Sequence, residues 1–157
     1  MGLLASKCYR SGQLALRIDY GCGQHDARGA ANLALLFAEH EPRLAGCVAY
    51  APCTDLKARM PALVVRGMSA AMPHVAEFIV QSSPRTHEQR LNCPVLIFHA
   101  ADDTNVRIDT SREFAKRMQA AGKDVTLKEV SAGGHYNSMI EQGIPTGIAW
   151  MKAHMPK

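Results

Sequence analysis

From Leu14 to Tyr20 the chain reads Leu-Ala-Leu-Arg-Ile-Asp-Tyr, a rough alternation of apolar and polar side chains that predicts a half-buried strand, stopped by Gly21 and Gly23. Ala30 to His40 carries a broad apolar face at helical spacing and ends before Pro42. Gly46 to Tyr50 is a short apolar run bounded by Pro52, which predicts a buried strand. The next forty or so residues are irregular, broken by Pro61, Pro73 and Pro84, and predict one or two helices. Cys93 to His99 is the strongest strand in the sequence. Asp109 then opens a helix through Ala121, with Phe114, Ala115 and Met118 facing inward and Gly122 as its C-cap. Val125 to Val130 predicts another strand. Asn137 to Met155 predicts a last helix, bent at Gly143-Ile144-Pro145, with Ile140, Ile144, Ile148 and Met151 near one stripe.

Four strands alternating with helices imply βαβ units, hence an α/β fold with a mostly parallel sheet and flanking helices. Such folds place their sites in loops at the C-terminal ends of the strands. With 157 residues, one domain spanning 1–157 is expected. The net charge of +4 comes from scattered basic residues that form no patch in sequence, so no nucleic-acid partner is expected. The apolar runs are too short to span a bilayer, and no membrane association is expected. Five cysteines, an odd number, and no leader-like start point to reduced thiols in a cytoplasmic protein.

Candidate chemistry concentrates after the strongest strand. Asp102 and Asp103 follow Ile97-Phe98-His99-Ala100-Ala101, where a carboxylate can be held rigidly. Adjacent acids in isolation read as a solvated turn; the strand before them and Val106 after them favour a functional reading. Further along, Gly133 and Gly134 precede His135, and residues this small let the backbone turn tightly and aim the ring. In this topology the two loops leave adjacent strands, so Asp103 and His135 are placed to touch. A carboxylate that orients a histidine is half of a nucleophile-activating triad. His99, at a strand end, reads as packed rather than catalytic, and Trp150 as packing. Cys22 and His25 lack a second ligand pair, so no metal is expected. Gly21-Cys22-Gly23 is too short for a dinucleotide loop, and no cofactor is expected.

The stretch from Cys93 to Lys152 resembles the end of α/β-hydrolases of the prolyl oligopeptidase and dienelactone hydrolase type. Those chains run from a strand into His-Gly-x-x-Asp-x-x-Val, a helix, Ala-Gly-Lys, and then a strand with a Gly-His-Tyr turn. The resemblance implies that Asp103, three before Val106, is the catalytic acid and His135 the base, with Ala100 in place of the usual glycine. Arg28 to Leu36 is similar to the helix after the nucleophile, and Val48 to Leu56 to the next strand and its exit loop. Substrates of this class are small esters or peptides.

The resemblance also implies a Gly-x-Ser-x-Gly elbow, and the sequence contains none. Four readings stay open. In His25-Asp26-Ala27-Arg28-Gly29, Ala27 takes the nucleophile position at the spacing that suits the family best. A second frame places His25 there. Gly21-Cys22-Gly23 offers the thiol of Cys22 at a different spacing. In the fourth, the elbow is absent. The chain is therefore expected to be a truncated α/β-hydrolase without its N-terminal strands, either an ester or peptide-bond hydrolase or an inactive relative that binds a partner. Losing those strands leaves an exposed sheet edge beside the first helix, and a homodimer through that edge is expected.

Overall fold

The computed structural model describes residues 4–5, 14–16, 18–19 and 30–154. Cys22, His25 and Ala27, with the glycines around them, lie outside the described residues. Three short strands come first: β1 (Leu4–Ala5), β2 (Leu14–Leu16) and β3 (Ile18–Asp19). The chain continues with α1 (Ala30–His40), β4 (Leu44–Tyr50), α2 (Leu56–Arg59), α3 (Ala62–Ala71), α4 (Val75–Gln81) and α5 (Pro84–His87). It ends with β5 (Val95–Ala100), α6 (Ile108–Ala120), β6 (Val125–Val130) and α7 (Ile144–His154).

Strands β2, β4, β5 and β6 form one parallel sheet in that order, while β1 and β3 make a separate antiparallel pair. The strand expected over Leu14–Tyr20 is thus split: Leu14–Leu16 joins the main sheet and Ile18–Asp19 pairs with Leu4–Ala5. Each half follows its own partner, and one straight strand cannot serve partners in two sheets.

The pleat sorts the core. Cys47, Ala49, Val95 and Ile97 point to one face, against α1 and α6 through Leu35, Phe114 and Met118. Val48, Tyr50, Leu96 and Phe98 point to the other, where Met139, Ile144, Trp150 and Met151 cover them. Buried on both faces, β5 reads as an apolar run from Val95 to Phe98 that is followed by the buried His99, as suits a central parallel strand. Val95, Leu96, Ile97 and Phe98 are each 1% exposed or less. Full burial of such side chains contributes roughly 1.5–3 kcal/mol apiece, so the loop leaving β5 starts from a firmly anchored strand.

Element boundaries differ from the sequence pattern where packing intervenes. Strand β4 begins at Leu44, whose side chain is buried, and includes Gly46, where a Cβ would lie 3.3 Å from the Trp150 ring. Helix α6 starts at Ile108 after Arg107, so Asp109 is not its cap but sits in the first turn, bonded to Arg107 at 2.7 Å. Its other end is a full Schellman closure: Gly122, at φ +74°, donates to Gln119 O, and Lys123 N donates to Met118 O. Between 55 and 92 four short helices form instead of one or two. Pro61 precedes α3 and Pro84 opens α5, and each proline starts a new helix rather than continuing one. The last helix begins with a π turn at Met139–Gly143. The wider turn rotates the rest of the helix, so Ile144 and Met151 face the sheet while Ile140 and Ile148 are 58% and 37% exposed.

Candidate active site

Strands β5 and β6 pair in parallel up to Ala100 opposite Val130, so the chain leaves both at the same end of the sheet. The loop after β5 turns at Asp103, which closes it with its own side chain. Oδ1 accepts hydrogen bonds from the backbone of Asn105 at 2.8 Å and of Val106 at 2.9 Å. The loop after β6 turns through Gly133 and Gly134, at φ +121° and +58°. At Gly133 a Cβ would lie 2.9 Å from the Ser138 side chain, so position 133 admits no other residue without rearrangement.

These two turns bring the sequence-predicted acid and base together. Asp103 Oδ2 lies 2.7 Å from His135 Nδ1, with the two side chains 0% and 8% exposed. A charge-assisted bond of this length, shielded from water, holds the imidazole in one orientation and tautomer. Burial raises the proton affinity of Asp103, but hydrogen bonds from His135, His99 and the Val106 amide outweigh it. The carboxyl is held well below the usual carboxylate range. Asp103 is therefore an anion at neutral pH, and the far nitrogen of His135, Nε2, has no partner among the described residues.

Three neighbours complete the site; the sequence pattern gives Asp102 a functional reading only as one of a pair of acids, reads His99 as packed, and does not single out Ser111. Asp102, exposed on its loop, accepts from Gly134 N at 2.8 Å and Gly133 N at 3.1 Å, clasping the histidine loop to the acid loop. The two adjacent acids thus divide the work: one grips backbone, the other the ring. His99 is fully buried, as expected, and also lies 3.3 Å from Asp103 Oδ2. Ser111 on α6 contacts its Nδ1 at 2.9 Å.

A cavity of about 330 Å³ borders the acid loop, lined by Cys53, Arg59, Asn105, Val106 and Arg107 among others. The Arg59 guanidinium donates to Asn105 O. Burial pushes the thiols of Cys47, Cys53 and Cys93 up, so none of these three is an activated thiolate. Among the described residues no group of three or more His, Cys, Asp or Glu side chains can hold a metal ion. No helix among them is long and apolar enough to cross a membrane.

Known structures share this architecture. An acylaminoacyl peptidase from Pyrococcus horikoshii superposes with a TM-score of 0.66 at 14% identity, over 82% of this chain and 23% of that one. A puromycin-hydrolysing peptidase from Mycobacterium tuberculosis gives 0.65 at 16%, over 79% and 21%. An esterase from Pyrococcus furiosus gives 0.55 at 17%, over 80% and 51%. The chain thus spans less than a quarter of the length of those two peptidases and about half of the esterase. These likenesses are of fold, an α/β-hydrolase architecture. Comparison with curated protein sequences gives no match. The sequence model of the prolyl oligopeptidase family matches residues 28–156, most of the chain and both turns that build the site, and the chain belongs to that family.

Proposed function

We propose that the chain is a hydrolase of small esters or peptides in which Asp103 orients His135 as the general base. The observation that carries this reading is the shielded 2.7 Å bond between Asp103 Oδ2 and His135 Nδ1 at the end of the sheet where both strands stop. With Nδ1 occupied, Nε2 is the atom that can take a proton. It takes one from the attacking group as that group bonds to the acyl carbon, and Asp103 stabilises the imidazolium that forms. Nε2 then returns the proton to the leaving alcohol or amine as the acyl bond breaks. The attacking group is a water molecule, which gives the acid directly, or a side chain from the segment holding Cys22 and Ala27. In the second case a water that gives its proton to Nε2 then attacks the acyl-enzyme, and the side chain leaves with that proton. Ala27 supplies no attacking atom. Cys22, which resembles the thiol of dienelactone hydrolases, supplies one if it reaches His135. A base acting on water alone gives slow turnover, since removing the nucleophile of such sites leaves only a small residue of activity.

Hydrolysis of p-nitrophenyl acetate by the full chain, beside its Asp103→Asn and His135→Ala variants, tests the reading. A positioned general base contributes about 10²–10⁴-fold, so each variant should lose roughly tenfold or more of the rate above buffer. Equal rates in all three proteins would sink it. A second reading, a catalytically inactive relative that binds a partner, is favoured by alanine at position 27. It predicts no turnover at all with the wild-type chain.

A further inference from the structure

We propose that His99 is a positioning residue for the acid–base pair: braced by Ser111, it holds the Asp103 carboxylate in the orientation that keeps His135 in its Nδ1–H tautomer. The inference rests on the reading of Asp103 and His135 as acid and base, and extends the site one layer into the core.

The two oxygens of Asp103 are held differently. Oδ1 receives two backbone amides of its own loop, those of Asn105 and Val106. These pin one oxygen and leave the carboxylate free to swing the other about it. Oδ2 faces two imidazoles, His135 at 2.7 Å and His99 at 3.3 Å. His135 is the group to be positioned, so it cannot itself supply the reference. His99 can, because its ring has no freedom. It projects from the end of β5, is fully buried, and is held at both nitrogens.

The partners of those nitrogens decide the direction of each bond. Nε2 lies 2.9 Å from Val106 O, which can only accept, so Nε2 carries a proton shared between that carbonyl and Asp103 Oδ2. Nδ1 lies 2.9 Å from the Ser111 hydroxyl, which is itself fully buried on α6. The carboxylate facing His99 across the strand pair, Glu129, is engaged by Arg112 and does not compete for it. A chain of contacts therefore runs from α6 through His99 to Asp103 and on to His135, fixing the acid relative to a helix and the central strand rather than to its loop alone.

A histidine that merely packs would stabilise the fold without affecting the proton on a second ring. The test is therefore the tautomer of His135, read from the nitrogen shifts of its imidazole by long-range proton–nitrogen correlation in the full, ¹⁵N-labelled chain at mildly alkaline pH. The wild-type chain should show a protonated Nδ1 and a bare Nε2. In His99→Phe the two nitrogens should converge, as the ring samples both tautomers, and His99→Gln, which keeps an N–H, should restore at least half of the difference. Ser111→Ala, a small change beside the ring, should shift the signals in the same direction. If His99→Phe folds cooperatively and leaves the His135 signature intact, the proposal is overturned. If that variant does not fold, an unchanged signature in Ser111→Ala overturns it instead. A wild-type chain whose His135 already carries its proton on Nε2 would refute the pair itself, a failure distinct from that of His99.

Discussion

Both carboxylate oxygens of Glu39, on α1, are buried and without a hydrogen-bond partner among the described residues. Desolvation first, and then repulsion from Glu88, raise its pKa from 4.5 to about 8, with Arg90 offsetting only part. The unfolded chain releases this proton above about 4.5 and the native chain holds it until about 8, so stability falls with rising pH across that window. Glu39→Gln removes the titration. Denaturant unfolding should show the variant more stable than wild type by a few kcal/mol near pH 8.5, with the gap closing toward pH 4.5. Equal slopes of stability against pH in the two proteins would refute the assignment. Residue by residue, the sequence marked two side chains that the structure brings into contact at the ends of two turns. Asp103 and His135 were legible because a strand end and a pair of glycines mark them. Asp102, His99 and Ser111 were not, since their roles depend on which nitrogen or amide lies within 3 Å or so, and no periodicity records that.

Among the elements, α7 and the π turn before it carry the tightest packing. A Cβ on Gly143 would lie 2.9 Å and 3.1 Å from two carbons of the Phe98 ring and 3.1 Å from the Tyr50 ring. Gly143→Ala gains about 1 kcal/mol of helix propensity, but overpacking against two buried aromatics costs about 1–3 kcal/mol. Packing should win, and thermal unfolding should show a net loss of several degrees. A raised melting temperature would show instead that the turn gives way. Strand and helix types were legible here wherever one face repeats. The π turn was foreseen only as a bend, because a single widened turn leaves the composition unchanged and alters only which isoleucines face inward. The division of residues 55–92 into four helices escaped the pattern because their contacts are local and largely exposed: α3 buries no residue at all.

For the whole molecule, β2 is paired with β4 and with no other described strand, which makes it an edge of the main sheet. Unpaired strand edges attract other chains, and a homodimer formed across this edge is expected; a monodisperse monomer in light scattering would count against it. The parallel pairing of the sheet was legible because strand and helix alternate along the chain. The split of the first strand was not, because its two halves answer to partners far apart in sequence. Asp103 and His135, the proposed acid and base, both lie within a single crossover, β5–α6–β6, together with His99, Ser111 and Asp102, which contact them or their loops. This makes the proposed proton-handling half of the site a self-contained module. Its contacts all fall between residues 99 and 135, so its geometry does not depend on the segment upstream. An attacking group could therefore be lost, replaced or regained through mutation or recombination in the first thirty residues while the machinery that would activate it stays intact.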